Sequence, residues 1–452
     1  MKADYIILGA GSAGCVLANR LSEDPNNSVI LLEAGGSDSN SMFSMPLSWL
    51  KAVMNPSTSW NYFGEAEPHL NNRKLPIPRA KVLGGCSSIN GMMYSRGQFQ
   101  DYDTWAELGL EGWSYADILP YFRRSETNWR GQSKVHGDTG PLTTSRLNSL
   151  ALPINKALLS AAKNENYEVI DDFADGTGEG FSAPDFTVHQ GKRASTSARY
   201  LHPIKSRPNL QIITGALTTK ILFNEDDETP QAIGVEFTVD GQQKTAYCNR
   251  EIIVSAGAIN SPQILMLSGI GPKDPLEKLG ITSIHDLPGV GGNLQEHTTI
   301  NCAYQLNKPI GFESELRLDR LAFSALRWYL FKTGPLANMP PTVSGFFKAK
   351  HDVTRPGIQF IFTSVAMDAV PWFPGFIKGA GHKLSTVGVQ LHPKSRGSVT
   401  LRSADPTDSP CVRFNMLDHP EDLIAMREIV RKTRNLLTTS PVSDLREPLL
   451  IG

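Results

Sequence analysis

Short apolar runs alternate with amphipathic stretches through the first third of the chain. Tyr5-Ile6-Ile7-Leu8 and Val29-Ile30-Leu31-Leu32 are continuous apolar runs of the kind that form buried strands. Between them, the segment from Cys15 to Leu21 has helical character. Buried strands that alternate with helices are typical of a parallel sheet covered by helices. The pattern therefore predicts an α/β fold.

Further along, the pattern changes twice. Short β-rich runs at 209–214 and 232–237 predict a small sheet built from hairpins, and the run from Glu251 to Ser255 predicts another buried strand. From about residue 301 long mixed segments predict a second, substrate-side domain. Its predicted elements are an amphipathic helix at 316–331, strands at 386–391 and 398–401, and a last helix at 424–437.

Composition narrows the class of protein. The 452 residues are 40% hydrophobic and 20% charged, which excludes a disordered or collagen-like chain. With 44 Lys and Arg against 45 Asp and Glu, no charge excess favours nucleic acid as a partner. The 5 cysteines form no CxxC pair, so no metal site is predicted. No apolar run approaches the roughly 18 residues of a membrane-spanning helix, and no signal peptide is evident, so we expect a cytoplasmic protein.

A dinucleotide-binding motif follows the first predicted strand. Gly9-Ala10-Gly11-Ser12-Ala13-Gly14 reads GxGxxG and leads directly into the predicted helix. In such a turn Gly9 allows the tight bend, Gly11 lets a pyrophosphate approach the backbone, and Gly14 lets helix and strand pack closely. Glu33 ends the second strand, 19 positions after Gly14, at the spacing of a ribose-binding carboxylate. The motif predicts an ADP-bearing cofactor, disfavours NADP, and leaves NAD and FAD open.

Four further blocks carry a family resemblance. They read RAKVLGGCSSING at 79–91, GAINSPQILMLSGIG at 257–271, VGGNLQEH at 290–297 and LHPKSRGSV at 391–399. Together with the GxGxxG motif, they closely resemble the signatures of the glucose-methanol-choline (GMC) family of FAD-dependent oxidoreductases. Within that family the chain looks most like the choline dehydrogenase-like and other bacterial alcohol dehydrogenases.

The resemblance implies a fold and an organisation. It implies a Rossmann-type FAD-binding domain interleaved with a smaller α+β substrate domain. The FAD-binding region would cover 1–300, with an excursion at about 40–200, and the substrate-binding region would cover 301–390. Residues 391–452 would begin a C-terminal region that is incomplete in this chain.

The resemblance also implies an activity. An alcohol, choline-like, aliphatic or aromatic, would be oxidised to the aldehyde by hydride transfer to the flavin. Electrons would then pass to an external acceptor, namely a quinone, a dye or oxygen. Two alternatives stay open: a truncated flavin-binding homologue or fragment without catalytic activity, and an NAD-dependent dehydrogenase, which the Gly84-Gly85 block disfavours.

By the same resemblance, flavin contacts fall in three parts of the chain. The glycine-rich segment at 84–91 would let backbone lie against the isoalloxazine ring. Thr218 would contribute its backbone on the adenine side. The predicted cofactor-binding residues are Gly9, Gly11, Ser12, Gly14, Glu33, Ala34, Val82, Gly84, Gly85, Asn90, Gly91, Met92, Thr218, Ala256 and Gly257.

Two positions affect how the cofactor is held. Family members that tether FAD covalently through histidine carry that histidine just before the asparagine of this segment. Here that position is Ile89, so we expect FAD to be bound non-covalently. Cys86 lies in the same loop, and we interpret it as a packing residue rather than a nucleophile. In the 257–271 block, Ser261-Pro262 predicts a helix start and Ser268-Gly269 its end.

The catalytic residues are expected outside the chain. Alcohol oxidation needs a base of near-neutral pKa, for which histidine is best suited. The family takes it from a His-Pro-x-Gly-Thr stretch, and pairs it with a second histidine or an asparagine. That stretch does not occur here. We therefore expect the catalytic pair to lie beyond Gly452, in a chain truncated at its C-terminus.

Two aromatic segments offer weaker predictions. Trp372 and Phe373 could contact a quaternary ammonium alcohol through cation–π interaction, although simple packing is the preferred interpretation. The predicted helix at 316–331 carries arginines beside Trp328 and Tyr329. It could rest on the inner-membrane surface. A solvated helix face is the preferred interpretation of that helix.

Overall fold

The computed structural model describes residues 1–147, 149–174, 178–224, 229–349, 355–366 and 368–447. Two β-sheets organise this part of the chain, one of 6 strands and one of 5. The strands of three or more residues are β1 Lys2–Leu8, β2 Val29–Glu33, β3 Gly180–Ser182, β4 Leu210–Thr214, β5 Leu217–Asn224, β6 Gln231–Val239, β7 Gln242–Val254, β8 Thr299–Gln305, β9 Thr342–Phe347, β10 Ile358–Thr363, β11 Lys383–Gln390, β12 Ser398–Thr400 and β13 Cys411–Arg413.

Helices cover both sheets and the connections between them. In the described residues, no helix is both long enough and apolar enough to cross a membrane. The helices are α1 Ser12–Leu21, α2 Ser41–Ser44, α3 Trp49–Val53, α4 Phe99–Glu107, α5 Tyr115–Ser125, α6 Pro153–Asn164, α7 Gly257–Leu267, α8 Lys273–Lys278, α9 Leu318–Phe331 and α10 Pro420–Thr438.

The first sheet has the strand order β4-β2-β1-β7-β6-β5. Strands β4, β2, β1 and the second half of β7 pair in parallel, and β7, β6 and β5 continue as an antiparallel meander. Because side chains alternate along a strand, Ile6 and Leu8 of β1 pack on one face while Ile7 packs on the other, beside α1. The sheet is therefore buried on both faces at its centre, as a Rossmann-type fold requires.

The predicted small sheet at 209–237 is wrong as a separate sheet, although the run at 232–237 does pair in hairpins, as β6 with β5 and β7. β4 lies parallel to β2, with Leu210 opposite Val29, and so belongs to the main sheet. The antiparallel strands extend that same sheet, because the 13-residue strand β7 pairs with β6 through its first half and with β1 through its second half. Local sequence shows that these runs are strands, but strand partners are set by contacts distant in sequence.

The second sheet is antiparallel throughout, in the order β8-β11-β10-β9-β3. Its edge strand β3 comes from the long excursion between β2 and β4, so the two structural layers are interleaved along the chain. Helices α6 and α10 cover this sheet, and with it they bury a core that includes Phe181, Phe347, Phe360 and Ile429. The fold class expected from the sequence is confirmed.

Predicted element boundaries differ by several residues. Helix α7 begins at Gly257 rather than at Ser261, and Pro262 lies inside it, because β7 turns into the helix immediately after Val254. Its predicted end is confirmed, with Ser268 as the C-cap and Gly269 at a φ of +84°. The division of the chain at about residues 300 and 390 stays a prediction. Residues 448–452 of the third region lie outside the described residues.

Candidate cofactor site

The turn between β1 and α1 requires glycine at two positions. Gly9 has a φ of +100°, and a Cβ there would lie 2.9 Å from Ala256 Cα. A Cβ on Gly14 would lie 1.9 Å from Gly9 O, so only glycine lets the helix pack this closely. At Gly11, by contrast, a Cβ would meet nothing nearer than Ser255 O at 3.9 Å. The open space over Gly11 lies in front of the N-terminus of α1, where an anion is favoured.

A cavity of about 650 Å³ opens at this turn. It is enclosed by the end of β2, the start of α1, the turn from β7 into α7, and parts of the loops around residues 60, 80 and 217. Such a position, outside the carboxyl ends of parallel strands, is where α/β sheets bind ligands.

Glu33 lies in the wall of this cavity and is held by two backbone donors. Ala10 N donates to Glu33 Oε2 at 2.9 Å, and Gly35 N donates to Glu33 Oε1 at 2.8 Å. The residue is 7% exposed, and burial raises the pKa of its carboxyl while the two amides oppose that shift. Since each carboxylate oxygen has two lone pairs, each can accept one further hydrogen bond, such as one from a ribose hydroxyl.

A second glycine-rich segment contacts the first turn. Gly84 N donates to Ala10 O at 2.8 Å. Gly85 has a φ of +52°, and a Cβ there would lie 2.7 Å from Gly11 Cα. Gly85 and Cys86 line the cavity, whereas Ile89 is buried in a separate apolar cluster with Val82. The hydrocarbon side chain of Ile89 supplies no atom that could tether a flavin.

The end of this segment is held by a buried arginine that sequence reasoning missed. Arg193 Nη1 donates to Asn90 O at 2.7 Å, to Asn90 Oδ1 at 2.8 Å and to Ser87 O at 3.2 Å. Arg193 is 3% exposed, and burial lowers the pKa of its guanidinium to about 10. Asn90 Oδ1 also accepts from Met92 N at 3.1 Å, which supports the positive φ of Met92. Arg193 therefore fixes the conformation of residues 87–92.

The structure brings together most, but not all, of the predicted cofactor-binding residues. Gly14 and Gly84 pack directly behind the lining, against Gly9 and Ala10. Val82 lies behind it as well, bridged to Gly36, while Asn90, Gly91 and Met92 lie further along the loop, outside the lining. The predicted residues that line the cavity are Gly9, Gly11, Ser12, Glu33, Ala34, Gly85, Thr218, Ala256 and Gly257.

Several lining residues were missed by sequence reasoning. Trp60 and Arg79 line the cavity. Pro406 also lines it, from a loop more than 300 positions later in the chain than these two residues. Arg79 begins the family-signature block at 79–91 and could have been predicted from it. The sequence around Pro406 contains no motif that indicates a cofactor contact. Among the lining residues that the structure describes, Arg79 is the one cation and Glu33 the one acid. The guanidinium of Arg79 also pairs with Glu296, with 3.5 Å between Nη2 and Oε2.

No histidine is among the described residues that line the cavity. His392 lies elsewhere, with its Nε2 3.6 Å from Asp101 Oδ1, and burial and the nearby Arg355 lower its pKa. His297 is exposed, and its backbone N donates to Glu296. The expected position of the catalytic pair beyond Gly452 stays a prediction.

Trp372 and Phe373 do not line the cavity either. The Trp372 indole Nε1 donates to Glu313 O at 3.0 Å, which fixes the ring against the segment before α9. These two rings therefore lie at the surface of the protein, beside helix α9.

The sheet, the glycine turn and the acidic residue at the end of β2 together define a dinucleotide-binding protein of the Rossmann type. Residues 3–299 match the N-terminal model of the GMC oxidoreductases, and residues 393–449 match the C-terminal model. The chain belongs to the GMC oxidoreductase family.

Individual relatives agree with this placement. An oxygen-dependent choline dehydrogenase of Sinorhizobium fredii is 41% identical over 99% of this chain and 80% of its own length. Another of that name from Photobacterium profundum is 40% identical over 98% of this chain and 77% of its own. A solved structure of an Aspergillus oryzae formate oxidase variant superposes with a TM-score of 0.89, at 27% identity over 99% of this chain and 84% of that one.

The family fixes the cofactor and the reaction class. The cofactor is FAD, and the protein is an oxidoreductase that acts on the CH–OH group of its donor. This agrees with the geometry of the site, because the cavity has open space over Gly11 at the N-terminus of α1 and Glu33 lines the same cavity.

Proposed function

We propose that this protein oxidises choline to its aldehyde. The proposal is carried by two relatives of 40–41% identity over nearly the whole chain, both of which are choline dehydrogenases. At such identity the fold is shared, but substrate choice depends on a few side chains. The substrate therefore needs its own test.

The fifteen predicted residues are proposed to hold the FAD, nine of them by lining the cavity and the other six from behind the lining or from further along the loop. The N-terminus of α1 and Arg79 would bind the diphosphate, and Glu33 would accept hydrogen bonds from the adenosine ribose. The segment from Gly84 to Met92 would face the isoalloxazine ring. When bound, FAD supplies the acceptor for the hydride of the alcohol.

The electron acceptor is proposed to be oxygen, because both choline dehydrogenase relatives are named as oxygen-dependent. A quinone or a dye is the competing acceptor. We further propose that the first sheet carries the cofactor and the second sheet the substrate side of the enzyme. The proposed location is the cytoplasm, peripheral to the inner membrane.

The decisive experiment is anaerobic reduction of the bound flavin. The purified protein is mixed with choline, and with benzyl alcohol and butanol as comparison alcohols, while the visible spectrum is recorded. Choline should bleach the oxidised flavin band faster than either comparison alcohol. Readmission of oxygen should restore the band and form hydrogen peroxide.

Each other outcome contradicts a separate part of the proposal. Bleaching by a comparison alcohol but not by choline would reject choline as the substrate. Flavin that is bleached but reoxidised only by an added quinone would reject oxygen as the acceptor. Flavin that no alcohol reduces would favour a flavin-binding chain without turnover, as the predicted position of the catalytic pair beyond Gly452 implies.

A further inference from the structure

Helix α9 exposes large apolar side chains on the face that points away from the protein. Ser324 and Trp328 are buried on its inner side. On the opposite side, Phe323 is 67% exposed, Leu326 57% and Leu330 63%. Because these three residues are spaced by three, four and seven positions, they form one stripe on the helix. The outward face of this helix is therefore apolar, and whether water or a membrane covers it stays a prediction.

A tight loop lies beside the start of this helix. The loop at 370–377 is fixed to the start of α9, because Leu318 N donates to Trp372 O at 2.8 Å. Its turn is closed by Ile377 N, which donates to Phe373 O at 2.9 Å. At the tip of that turn Phe376 is 86% exposed, the highest fraction among the exposed large apolar side chains of the described chain.

We call these two segments the apolar platform. They contribute 10 of the 25 large apolar side chains that are exposed in the described part of the chain. Scattered apolar residues are normal on a protein surface, but so dense a group marks an interaction surface. Its members are Leu318, Phe323, Leu326, Tyr329, Leu330, Phe331, Val370, Phe373, Phe376 and Ile377.

The charges beside the platform are biased to the positive sign. The two acids near the start of α9 are already neutralised, since Asp319 pairs with Arg317 at 2.7 Å and Glu315 pairs with Arg320 at 3.7 Å. Within the described residues, three further cations have no carboxylate within ion-pair distance. They are Arg327, Lys332 and Lys378.

We propose that the apolar platform docks on the surface of an anionic lipid bilayer. A helix with an outward apolar face, aromatic side chains and flanking cations has the composition of an interfacial membrane anchor. The exposed tip at Phe376 would enter the headgroup layer, and the unpaired cations would meet anionic lipid headgroups. This inference rests on the proposed peripheral location and identifies the surface that would contact the membrane. It does not depend on choline being the substrate.

The test is flotation of the FAD-loaded protein with lipid vesicles. One set is pure phosphatidylcholine, and the other contains about 30% phosphatidylglycerol, in the range of an anionic membrane surface. Wild type should float with the anionic vesicles and much less with the neutral ones. The platform variant carries Phe323→Ser, Leu326→Ser, Leu330→Ser and Phe376→Ser. Its affinity for the anionic vesicles should be lower than that of wild type by about tenfold or more.

A matched control carries the same kind of change at another exposed apolar site. Leu108, Leu110 and Tyr121 of the α4–α5 hairpin are 76%, 51% and 67% exposed, and their replacement by Ser should leave vesicle binding unchanged. Combining Arg327→Gln with Lys378→Gln should weaken binding to anionic vesicles severalfold, as should added salt. Unchanged flavin content in every variant shows that the fold is retained.

Three results would overturn the proposal. Wild type could stay with neither kind of vesicle, or the platform variant could float as well as wild type. Alternatively, sedimentation could show that wild type is a dimer, that it ignores vesicles, and that the platform variant is a monomer. In that case the platform is covered by a second copy of the chain. None of these readouts uses alcohol oxidation, so they are separate from the test of choline.

Discussion

At the scale of the residue, Glu33 combines a structural and a binding role. Its two oxygens hold the amides of Ala10 and Gly35, which form the two turns that border the cavity. A Glu33→Ala change would leave both buried amides without an acceptor, at about 1–3 kcal/mol each, and would also remove the proposed ribose contact. We expect the dissociation constant of FAD to rise at least about tenfold.

Titration of the flavin-free protein with FAD, followed by flavin fluorescence, measures this effect. Glu23 offers a matched control, because it is an exposed glutamate whose side chain pairs with Arg20 at the surface. Glu23→Ala should bind FAD as wild type does. FAD affinity that is the same in Glu33→Ala as in wild type would reject the ribose assignment.

Ile89 leads to a prediction about the chemical bond to the cofactor. It is 3% exposed and has no nucleophilic atom, so we expect the flavin to be held by non-covalent contacts alone. Precipitation of the holoprotein with acid should leave all of the flavin in the supernatant, as measured by absorbance. Yellow colour that stays with the washed pellet would contradict the prediction and would point to another tethering residue.

Single residues were predictable where a local motif fixes their conformation. Gly9, Gly14 and Glu33 lie where the GxGxxG pattern predicts them, because turn geometry and spacing along two adjacent strands are local properties. Arg193 was not predictable, since its role arises from acceptors about 100 positions earlier in the chain. A buried arginine that donates to backbone carbonyls leaves no periodic signature in sequence.

At the scale of the element, the loop at 87–92 depends on that arginine. Arg193→Met would keep the volume but would remove the donor to Asn90 O and Ser87 O, at about 1–2 kcal/mol of unfolding free energy, while Asn90 Oδ1 would keep its hydrogen bond from Met92 N. The loop should then lose its fixed conformation, and FAD retention should fall. The neighbouring Lys192 is exposed, and Lys192→Met serves as the control.

Two measurements separate the effect on the loop from simple instability. Urea unfolding reports the stability of the chain, and limited proteolysis reports whether cleavage near residues 87–92 becomes faster. Faster cleavage in Arg193→Met than in Lys192→Met is expected. Equal cleavage rates in the two variants would show that Arg193 does not fix this loop.

The sequence predicted which segments form strands, but it did not predict which strands they pair with. The strands at 210–214 and 232–237 were found from their apolar residues, yet their place in the main sheet was missed. β7 explains the error: it is 13 residues long and joins the parallel and antiparallel parts of one sheet. The sequence of a strand indicates how it is buried, whereas its neighbours depend on chain connections distant in sequence.

At the scale of the whole molecule, an ion-pair network ties together the excursion between β2 and β4. His136 lies between two acids, with Nδ1 2.8 Å from Glu126 Oε1 and Nε2 2.7 Å from Asp172 Oδ2. Arg96 pairs with the same Glu126 oxygen at 2.7 Å, and Arg130 pairs with Asp185. Since segments from five parts of the excursion meet here, the network fixes its shape.

This network makes the stability of the protein depend on pH. Burial opposes the charge on His136, but its hydrogen bonds to Asp172 and Glu126 outweigh burial and raise its pKa from 6.5 to about 9. A raised pKa in the folded state means that the protonated histidine stabilises the fold fully below about pH 6.5, and that this contribution is lost as pH rises through about 9. The pKa of Asp172 is correspondingly lowered to about 2.

We therefore expect His136→Gln to cost about 3 kcal/mol of unfolding free energy near pH 6.5, because it breaks a buried ion pair on both sides of the ring. The difference between wild type and variant should shrink as pH rises past about 9, since wild type loses the same proton there. Urea unfolding followed by tryptophan fluorescence across this range measures it. His69→Gln, at a half-exposed histidine that faces Asp418, should show a small difference throughout. A His136→Gln deficit that stays constant from pH 6.5 to pH 10 would mean that the ring acts through packing and not through its charge.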